Sequence, residues 1–203
     1  GTITAGTPKV TDIYPMEGIT DNELLQMAYS LEINSEHPLA KAVVERAEGD
    51  GIISEEITDF LALTGNGLTG TLNGEKLLGG SIKYMDETIG LNEKAKEISQ
   101  EYASQGKTPL LFAKNNKLMG IIAVADIIKE DSAQAIKELQ NMDIKVVMVT
   151  GDNERTANAI SKQVGTDDVI AGVLPDGKEE VIKQLKSGGK VAMVGDGIND
   201  APA

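Results

Sequence analysis

The first part of the chain contains two stretches whose apolar positions recur with the period of an α-helix. Thr20 and Glu23 have the spacing of a capping box, and the apolar face after them runs from Leu24 to Leu31. Pro38 suits the first turn of a second helix, which Gly49-Asp50-Gly51 would end. A strand over residues 9–14 is predicted ahead of both helices.

The pattern then changes to the period of a β-strand. Strands are predicted over residues 57–63, 67–72, 75–79, 110–114 and 117–124. Two-residue hairpins are predicted at Asn73-Gly74, the strongest short hairpin signal in the chain, and at Asn115-Asn116. A further helix is predicted over residues 91–102. Residues 9–124 therefore read as an antiparallel sheet with helices, an α+β unit.

After Asp126 the predicted strands and helices alternate. Apolar strands are expected at 144–149, 169–170 and 191–194, and helices separate them. This alternation favours a parallel, Rossmann-like sheet. No Pro/Gly/Ser-rich spacer separates the two halves, so the change of pattern alone marks the boundary.

Composition narrows the possible functions. The chain has 203 residues, a net charge of −13, no cysteine and a single histidine, His37. The charge argues against a nucleic-acid partner, and the absence of cysteine excludes disulfides and thiol nucleophiles. No apolar run is long enough to cross a bilayer.

Oxygen-bearing side chains come after two of the predicted strands. Asp196, Asn199 and Asp200 come after the strand at 191–194, and Thr150-Gly151-Asp152 comes after the strand at 144–149. Ligands bind at the carboxyl ends of strands in open α/β sheets, and carboxylate oxygens suit Mg²⁺. Thr150 and Gly151 can donate hydrogen bonds to a phosphoryl oxygen, and Lys178 can balance its charge. Taken singly, each of these features is also typical of a helix start or a solvated surface.

The order of these motifs resembles that of the heavy-metal-transporting P-type ATPases, ion pumps of the haloacid dehalogenase superfamily. Gly195-Asp196-Gly197-Ile198-Asn199-Asp200-Ala201-Pro202 resembles their hinge motif, and Gly1-Thr2-Ile3-Thr4 resembles the end of their Asp-Lys-Thr-Gly-Thr-x-Thr signature. The resemblance implies that the aspartate nucleophile lies just upstream of residue 1. The chain alone would then be inactive.

Within this family, the resemblance implies catalytic roles for five residues and metal binding by two more. The catalytic residues are Thr150, Gly151, Asp152, Lys178 and Asn199, and the magnesium ligands are Asp196 and Asp200. It also implies a haloacid-dehalogenase-like phosphorylation domain made of residues 1–8 and 125–203, with a nucleotide-binding domain, residues 9–124, inserted into it. Lys129 stands where the family usually has arginine.

Residues 32–39 resemble the nucleotide-binding segment of the same pumps. Ser35-Glu36-His37-Pro38-Leu39 matches the family motif, and the resemblance assigns ATP contacts to Glu32, His37, Gly65 and Gly67, with Gly80 and Ser81 in place of the family's Gly-Asn. A lone histidine at a helix start is more often a capping residue. Residues 65–70 also spell a dinucleotide fingerprint, but a strand, not a helix, is predicted after them.

The resemblance implies an ATP-dependent pump for a heavy metal, with copper favoured because copper pumps are common in this subfamily. ATP and Mg²⁺ are the expected cofactors. The transmembrane and actuator domains of a full-length pump are the expected partners, and this part is expected to be soluble, monomeric and on the cytoplasmic side. Two alternatives stay open: a soluble magnesium-dependent phosphatase of the same superfamily, and a nucleotide-binding module without chemistry.

Overall fold

The computed structural model of the chain describes residues 2–63, 67–152, 154–173 and 177–195. Two compact units share the chain. One comprises Gly1–Gly6, Ser104–Gly106 and Ile127–Ala203, and is called here the Rossmann-like unit; the other comprises Thr7–Ala103 and Lys107–Asp126, and is called the sheet unit. The division of the chain into two domains at residues 8–9 and 124–125 stays a prediction.

Eight strands and seven helices lie in the described part of the chain. In chain order they are β1 (Thr4–Pro15), α1 (Asp21–Glu32), α2 (Pro38–Gly49), β2 (Thr58–Leu63), β3 (Gly67–Leu72), β4 (Glu75–Gly80), α3 (Ile82–Ile89), α4 (Glu93–Ser104), β5 (Thr108–Lys114), β6 (Lys117–Ile128), α5 (Ser132–Asn141), β7 (Val147–Val149), α6 (Glu154–Val164), β8 (Asp168–Ile170) and α7 (Lys178–Lys186).

Six of the strands form one sheet in the order β1-β6-β5-β4-β3-β2, and the pairs from β2 to β6 are antiparallel. Both predicted hairpins are present, with Leu72 opposite Glu75 and Lys114 opposite Lys117. The two central residues of each turn have positive φ, 51° and 80° at Asn73 and Gly74. Two-residue hairpins prefer this conformation, and asparagine and glycine tolerate it, so these dipeptides account for the antiparallel sheet.

Side chains on the central strands alternate between two apolar clusters. Leu77, Phe112 and Ile122 pack with α1 and α2, whereas their neighbours Leu78, Leu111 and Ile121 belong to the cluster with α3 and α4. All six are at most 2% exposed. Full burial of each such side chain stabilises the fold by about 1.5–3 kcal/mol. Successive side chains of a strand point to opposite faces of the sheet, so both faces of these strands are buried.

Helix starts in the sheet unit are set by local hydrogen bonds. The predicted capping box is confirmed: the Thr20 hydroxyl accepts from Glu23 N–H at 3.2 Å, and the Glu23 carboxylate accepts from Thr20 N–H at 2.8 Å. Helix α3 was not predicted. Its start, however, carries an N-cap signal, because the hydroxyl of Ser81 accepts from Tyr84 N–H at 3.3 Å.

The described part of the Rossmann-like unit contains the parallel pair β7–β8 with α5, α6 and α7 nearby in sequence. Its small core is formed by Met148, Ala157 and Ile160. The strand predicted over residues 144–149 is present but shorter, since β7 covers Val147–Val149.

The predicted strand at 191–194 is wrong for the residues described. They pair with no neighbour, and Val194 is 76% exposed. A run of apolar residues signals burial, but a strand also requires hydrogen-bonding partners, which such a run does not supply. Among the described helices, none combines the length and apolar character that a membrane span requires.

Candidate functional site

A cavity of about 720 Å³ lies in the Rossmann-like unit. It is lined by Thr2–Thr4, the loop after β7, the first residue of α7 and the segment 188–194. Four of the predicted catalytic residues line it together: Thr150, Gly151, Asp152 and Lys178. Thr150 and Lys178 are 28 residues apart in the sequence, so the fold brings to one cavity what the motif order only suggested.

Hydrogen bonds fix the loop after β7. The Thr150 hydroxyl donates to an Asp152 carboxylate oxygen at 2.8 Å and accepts from the Asp152 N–H at 3.2 Å. Within the described residues, the N–H of Gly151 donates to no acceptor, so it is available to an anion. The loop thus holds one hydroxyl, one carboxylate and one unused amide N–H at the cavity wall.

A second segment, residues 170–173, holds this loop in place and was not predicted as part of the site. Gly172 N–H donates to the Asp152 carbonyl at 2.8 Å, and Val173 N–H donates to the Thr150 carbonyl at 3.0 Å. Gly172 has a φ of 68°, which favours glycine. The one sequence signal for this support is the Ala171-Gly172 pair directly after β8.

The N-terminal residues reach the cavity because they are anchored to the start of α5. The Ile3 carbonyl accepts from Lys129 N–H at 3.1 Å and from the Ser132 hydroxyl at 2.8 Å. Thr2 and Thr4, on either side of Ile3, line the cavity. The segment that resembles the end of the phosphorylation signature therefore lies beside Thr150 and Lys178.

Lys178 is the first residue of α7, whose N-cap is Gly177. The unpaired N–H groups at a helix start carry partial positive charge, and a lysine in the first turn adds a full positive charge. Both contributions favour an anion at this part of the cavity wall.

Magnesium fits the chemistry of this cavity but has no ligand set among the residues whose placement is described. The donors of the loop after β7 are oxygens, the atoms that Mg²⁺ prefers. No group of three or more acidic or histidine side chains that could hold a metal occurs in residues 2–63, 67–152, 154–173 and 177–195. The predicted ligands Asp196 and Asp200, together with Asn199, lie outside the described residues.

In the sheet unit, Glu32 is a buried carboxylate at the end of α1. Its side chain is 6% exposed, and no hydrogen bond or ion pair to it occurs among the described residues. Burial raises the pKa of Glu32 from its ordinary value of 4.5 to about 7. The Glu32 carboxylate is poorly solvated and no described group donates a hydrogen bond to it, so a ligand could supply a donor.

His37, the only histidine, is the N-cap of α2. Its Nδ1 accepts from the Leu39 N–H at 3.2 Å, and Pro38 occupies the first turn. His37 therefore has the capping geometry that is common for a lone histidine at a helix start. Because Nδ1 accepts, the neutral ring carries its proton on Nε2, which is left to donate to a ligand on the exposed side of the helix.

The glycine and serine positions of the predicted nucleotide site have structural roles of their own. A Cβ at Gly67 would lie 2.2 Å from the Gly79 carbonyl oxygen, so the pairing of β3 with β4 requires glycine there. Gly80 lies opposite Gly67 in the same pair, and Ser81 caps α3. Gly65 lies outside the described residues. Strand β3 begins at Gly67, where a dinucleotide fingerprint would require a helix, so the dinucleotide interpretation stays rejected.

The chain belongs to the haloacid dehalogenase-like hydrolases, because the sequence profile of that family matches residues 1–203. The Copper-exporting P-type ATPase of Staphylococcus epidermidis is 48% identical over 205 residues, which cover 100% of this chain and 25% of that protein. The predicted resemblance to heavy-metal-transporting P-type ATPases is confirmed. The chain spans about a quarter of the length of the curated relatives it matches.

Two solved structures have the same fold. One, a zinc-transporting PIB-type ATPase in the E2.Pi state, superposes with a TM-score of 0.88 at 38% identity and covers 100% of this chain and 32% of its own. The other, the catalytic domain of the CPx-ATPase CopB-B upon nucleotide binding, gives a TM-score of 0.70 at 27% identity and covers 99% of this chain and 71% of its own. The predicted fold class, a haloacid-dehalogenase-like α/β fold with an antiparallel α+β sheet, is confirmed.

Proposed function

We propose that this chain is the ATP-binding and phosphorylation part of a heavy-metal-transporting P-type ATPase. The observation that carries the proposal is the cavity that gathers Thr150, Gly151, Asp152 and Lys178 beside Thr2–Thr4. The relatives that share the whole length of the chain are pumps of this class, which disfavours the soluble phosphatase.

Phosphoryl transfer requires few groups from the protein beyond positioning and charge stabilisation. The free N–H of Gly151 and the Thr150 hydroxyl, once it rotates away from Asp152, donate to phosphoryl oxygens at the cavity wall. Lys178 and the N-terminus of α7 supply positive charge to the same group. The backbone N–H of Asp152, which donates to the Thr150 hydroxyl oxygen at 3.2 Å, keeps that oxygen in place when the hydroxyl turns towards the phosphate.

Magnesium, held by Asp196 and Asp200 with Asn199 in support, would screen the charge of the incoming phosphate. The acceptor of the phosphate would be the aspartate of an Asp-Lys-Thr segment that the resemblance puts just upstream of Gly1. This arrangement explains why Thr2–Thr4 are anchored at the cavity through the carbonyl of Ile3.

Nucleotide binding is assigned to the sheet unit, at Glu32 and His37 together with Gly65, Gly67, Gly80 and Ser81. The ionised Glu32 carboxylate accepts from an exocyclic amine of the base, and Nε2–H of His37 faces the ligand. The buried and unpaired state of Glu32 supports this assignment. A copper pump and a zinc pump both match this chain, so the comparisons do not choose between these metals. Copper is proposed only because copper pumps are common in this subfamily.

The proposal is tested by labelling with γ-³²P-ATP and Mg²⁺, followed by acid quench. The 203-residue chain should bind Mg-ATP without forming an acid-stable phosphoenzyme. A chain extended by Asp-Lys-Thr before Gly1 should become labelled, and Lys178→Ala in that extended chain should lower the labelling. Label on any aspartate of the unextended chain would show that the active site has been assigned wrongly.

A further inference from the structure

The end of α1 is an unfavourable place for a negative charge. Glu32 is the last residue of the helix, where the unpaired carbonyl groups carry partial negative charge, and the last turn contains no basic residue. The residue is 6% exposed, and its carboxylate has no hydrogen-bond donor among the described residues. Burial favours the protonated acid, and neither the helix end nor a described donor offsets it.

Among the described residues, no charged group compensates for this burial. Helix α1 packs against α2, β3, β4 and β5, and against the loop at 51–57 through Ser30 and Glu55. The titratable side chains on those elements and on the turn after α1 are Glu36, His37, Lys41, Glu45, Arg46, Glu48, Glu55, Glu56, Glu75, Lys76 and Lys114. Several have other partners: Arg46 pairs with Asp50, Lys114 with Glu75, and Glu48 accepts from Tyr29.

We propose that nucleotide binding by this chain releases a proton from Glu32, so that affinity for ATP falls as the pH drops through neutrality. This inference rests on the proposed function, which makes Glu32 the acceptor for a donor on the base. The free protein holds Glu32 partly as the neutral acid. The bound state requires the carboxylate, so the O–H bond breaks and its proton passes to the solvent buffer.

The size of the effect is set by linkage between binding and ionisation. Burial alone accounts for the raised pKa of Glu32, about 7. At pH 8 Glu32 is ionised in most of the free protein and can accept a hydrogen bond. At pH 6 about nine molecules in ten must first lose the proton of Glu32. We therefore expect the Glu32-dependent part of the affinity to fall about tenfold between pH 8 and pH 6.

The test is calorimetric titration of the whole chain with Mg-ATP at pH 6, 7 and 8. Wild type is compared with Glu32→Gln, which cannot ionise, and with Glu45→Gln, a matched change of an exposed acid of α2. Protonation of the phosphates affects all three equally. His37→Asn is measured alongside, because His37 is the only histidine of the chain and belongs to the same proposed nucleotide site.

The fall in affinity from pH 8 to pH 6 should be about tenfold larger for wild type and Glu45→Gln than for Glu32→Gln. An equally steep fall in Glu32→Gln, or a fall that disappears only in His37→Asn, overturns the inference while leaving nucleotide binding intact. Absence of ATP binding to wild type at every pH overturns the proposed function and the inference together.

A second measurement applies if Glu32→Gln binds too weakly to titrate. Binding heats of wild type at pH 7, taken in two buffers with different ionisation enthalpies, give the number of protons released. We expect about half a proton per nucleotide, because Glu32 is half-ionised there. A value of zero contradicts the inference.

Discussion

The two candidate sites, one in each unit, hold their polar groups in opposite ways. In the sheet unit, Glu32 is buried and has no partner within the described residues, and its pKa is raised to about 7. In the Rossmann-like unit, Asp152 is exposed, and its carboxylate accepts from Thr150 at 2.8 Å. The first group has no donor among the described residues, and we propose that a ligand supplies one, whereas the second is satisfied by its own loop.

This contrast separates two routes to a binding site. A buried and unpaired carboxylate destabilises the free protein and gains its donor from the ligand. An exposed loop fixed by backbone hydrogen bonds changes little in stability when a side chain is altered, so its mutations should act mainly on the ligand. The contrast predicts different stability effects for equivalent mutations in the two units.

The largest difference is expected between two glycines. In Gly67→Ala the new Cβ would lie 2.2 Å from the Gly79 carbonyl oxygen, a backbone atom that cannot move without separating β3 from β4. In Gly151→Ala the nearest atom would be the Val173 carbonyl oxygen at 3.3 Å. Gly67→Ala should lower the free energy of unfolding by more than about 3 kcal/mol, and Gly151→Ala by less than about 1 kcal/mol. Denaturant unfolding of both variants measures this.

Similar losses in the two glycine variants would remove the contrast between a packed strand pair and an open loop. A phosphate-analogue titration of Gly151→Ala completes the comparison. That variant should be folded and bind the phosphate analogue more weakly, because the added Cβ lies at the cavity wall.

The next effect is the pH-dependent cost of Glu32. Its pKa is about 7 in the folded chain and ordinarily 4.5, so the unfolded chain ionises first. Stability is therefore lost as the pH rises from about 4.5 to 7, and the cost is fully present above that range. The difference of about 2.5 units corresponds to roughly 3 kcal/mol. Because a buried amide retains part of the cost, Glu32→Gln should stabilise the chain by about 2 kcal/mol at pH 8.

The same variant should change stability little at pH 4, where both states carry the neutral acid. Urea unfolding of wild type and Glu32→Gln across this pH range is the measurement, with Glu45→Gln as control. A stabilisation that does not depend on pH would mean that packing, not charge, is responsible.

The smallest effect is expected at Thr150. Thr150→Val removes the donor to the Asp152 carboxylate and the acceptor for the Asp152 N–H. These bonds are exposed to water, so their loss should cost about 1 kcal/mol or less. Thr150→Ser keeps both and should match wild type in thermal unfolding. A loss well above that for Thr150→Val would show that the loop depends on this hydroxyl and not on the bonds from residues 172–173.

The antiparallel sheet was predictable from the sequence because its determinants are local. Asn73-Gly74 and Asn115-Asn116 set the turns, and Thr20 with Glu23 set a helix start. The prediction of a strand at 191–194 was wrong, because pairing depends on a neighbouring strand that local residues do not encode. Helix α3 was missed although Ser81 marks its start.

The candidate site was predictable to a similar degree. The motif order indicated that Thr150 and Lys178 belong together, and both line one cavity. The support from Gly172 and Val173 has almost no sequence signal, because it consists of backbone hydrogen bonds. The burial of Glu32 results from the packing of α1. It could not be predicted from the residue type, because glutamate is rarely fully buried.

The central claim, that the sheet unit binds the nucleotide through His37 and Glu32, is tested most directly by Mg-ATP titration of His37→Asn. Asparagine is a good N-cap, so this variant keeps the start of α2 that His37→Ala would weaken by about 1 kcal/mol. We predict an unchanged melting temperature and an affinity about tenfold weaker than that of wild type, the loss of one ligand hydrogen bond. An unchanged dissociation constant in the folded variant would contradict the account and leave His37 with its capping role alone.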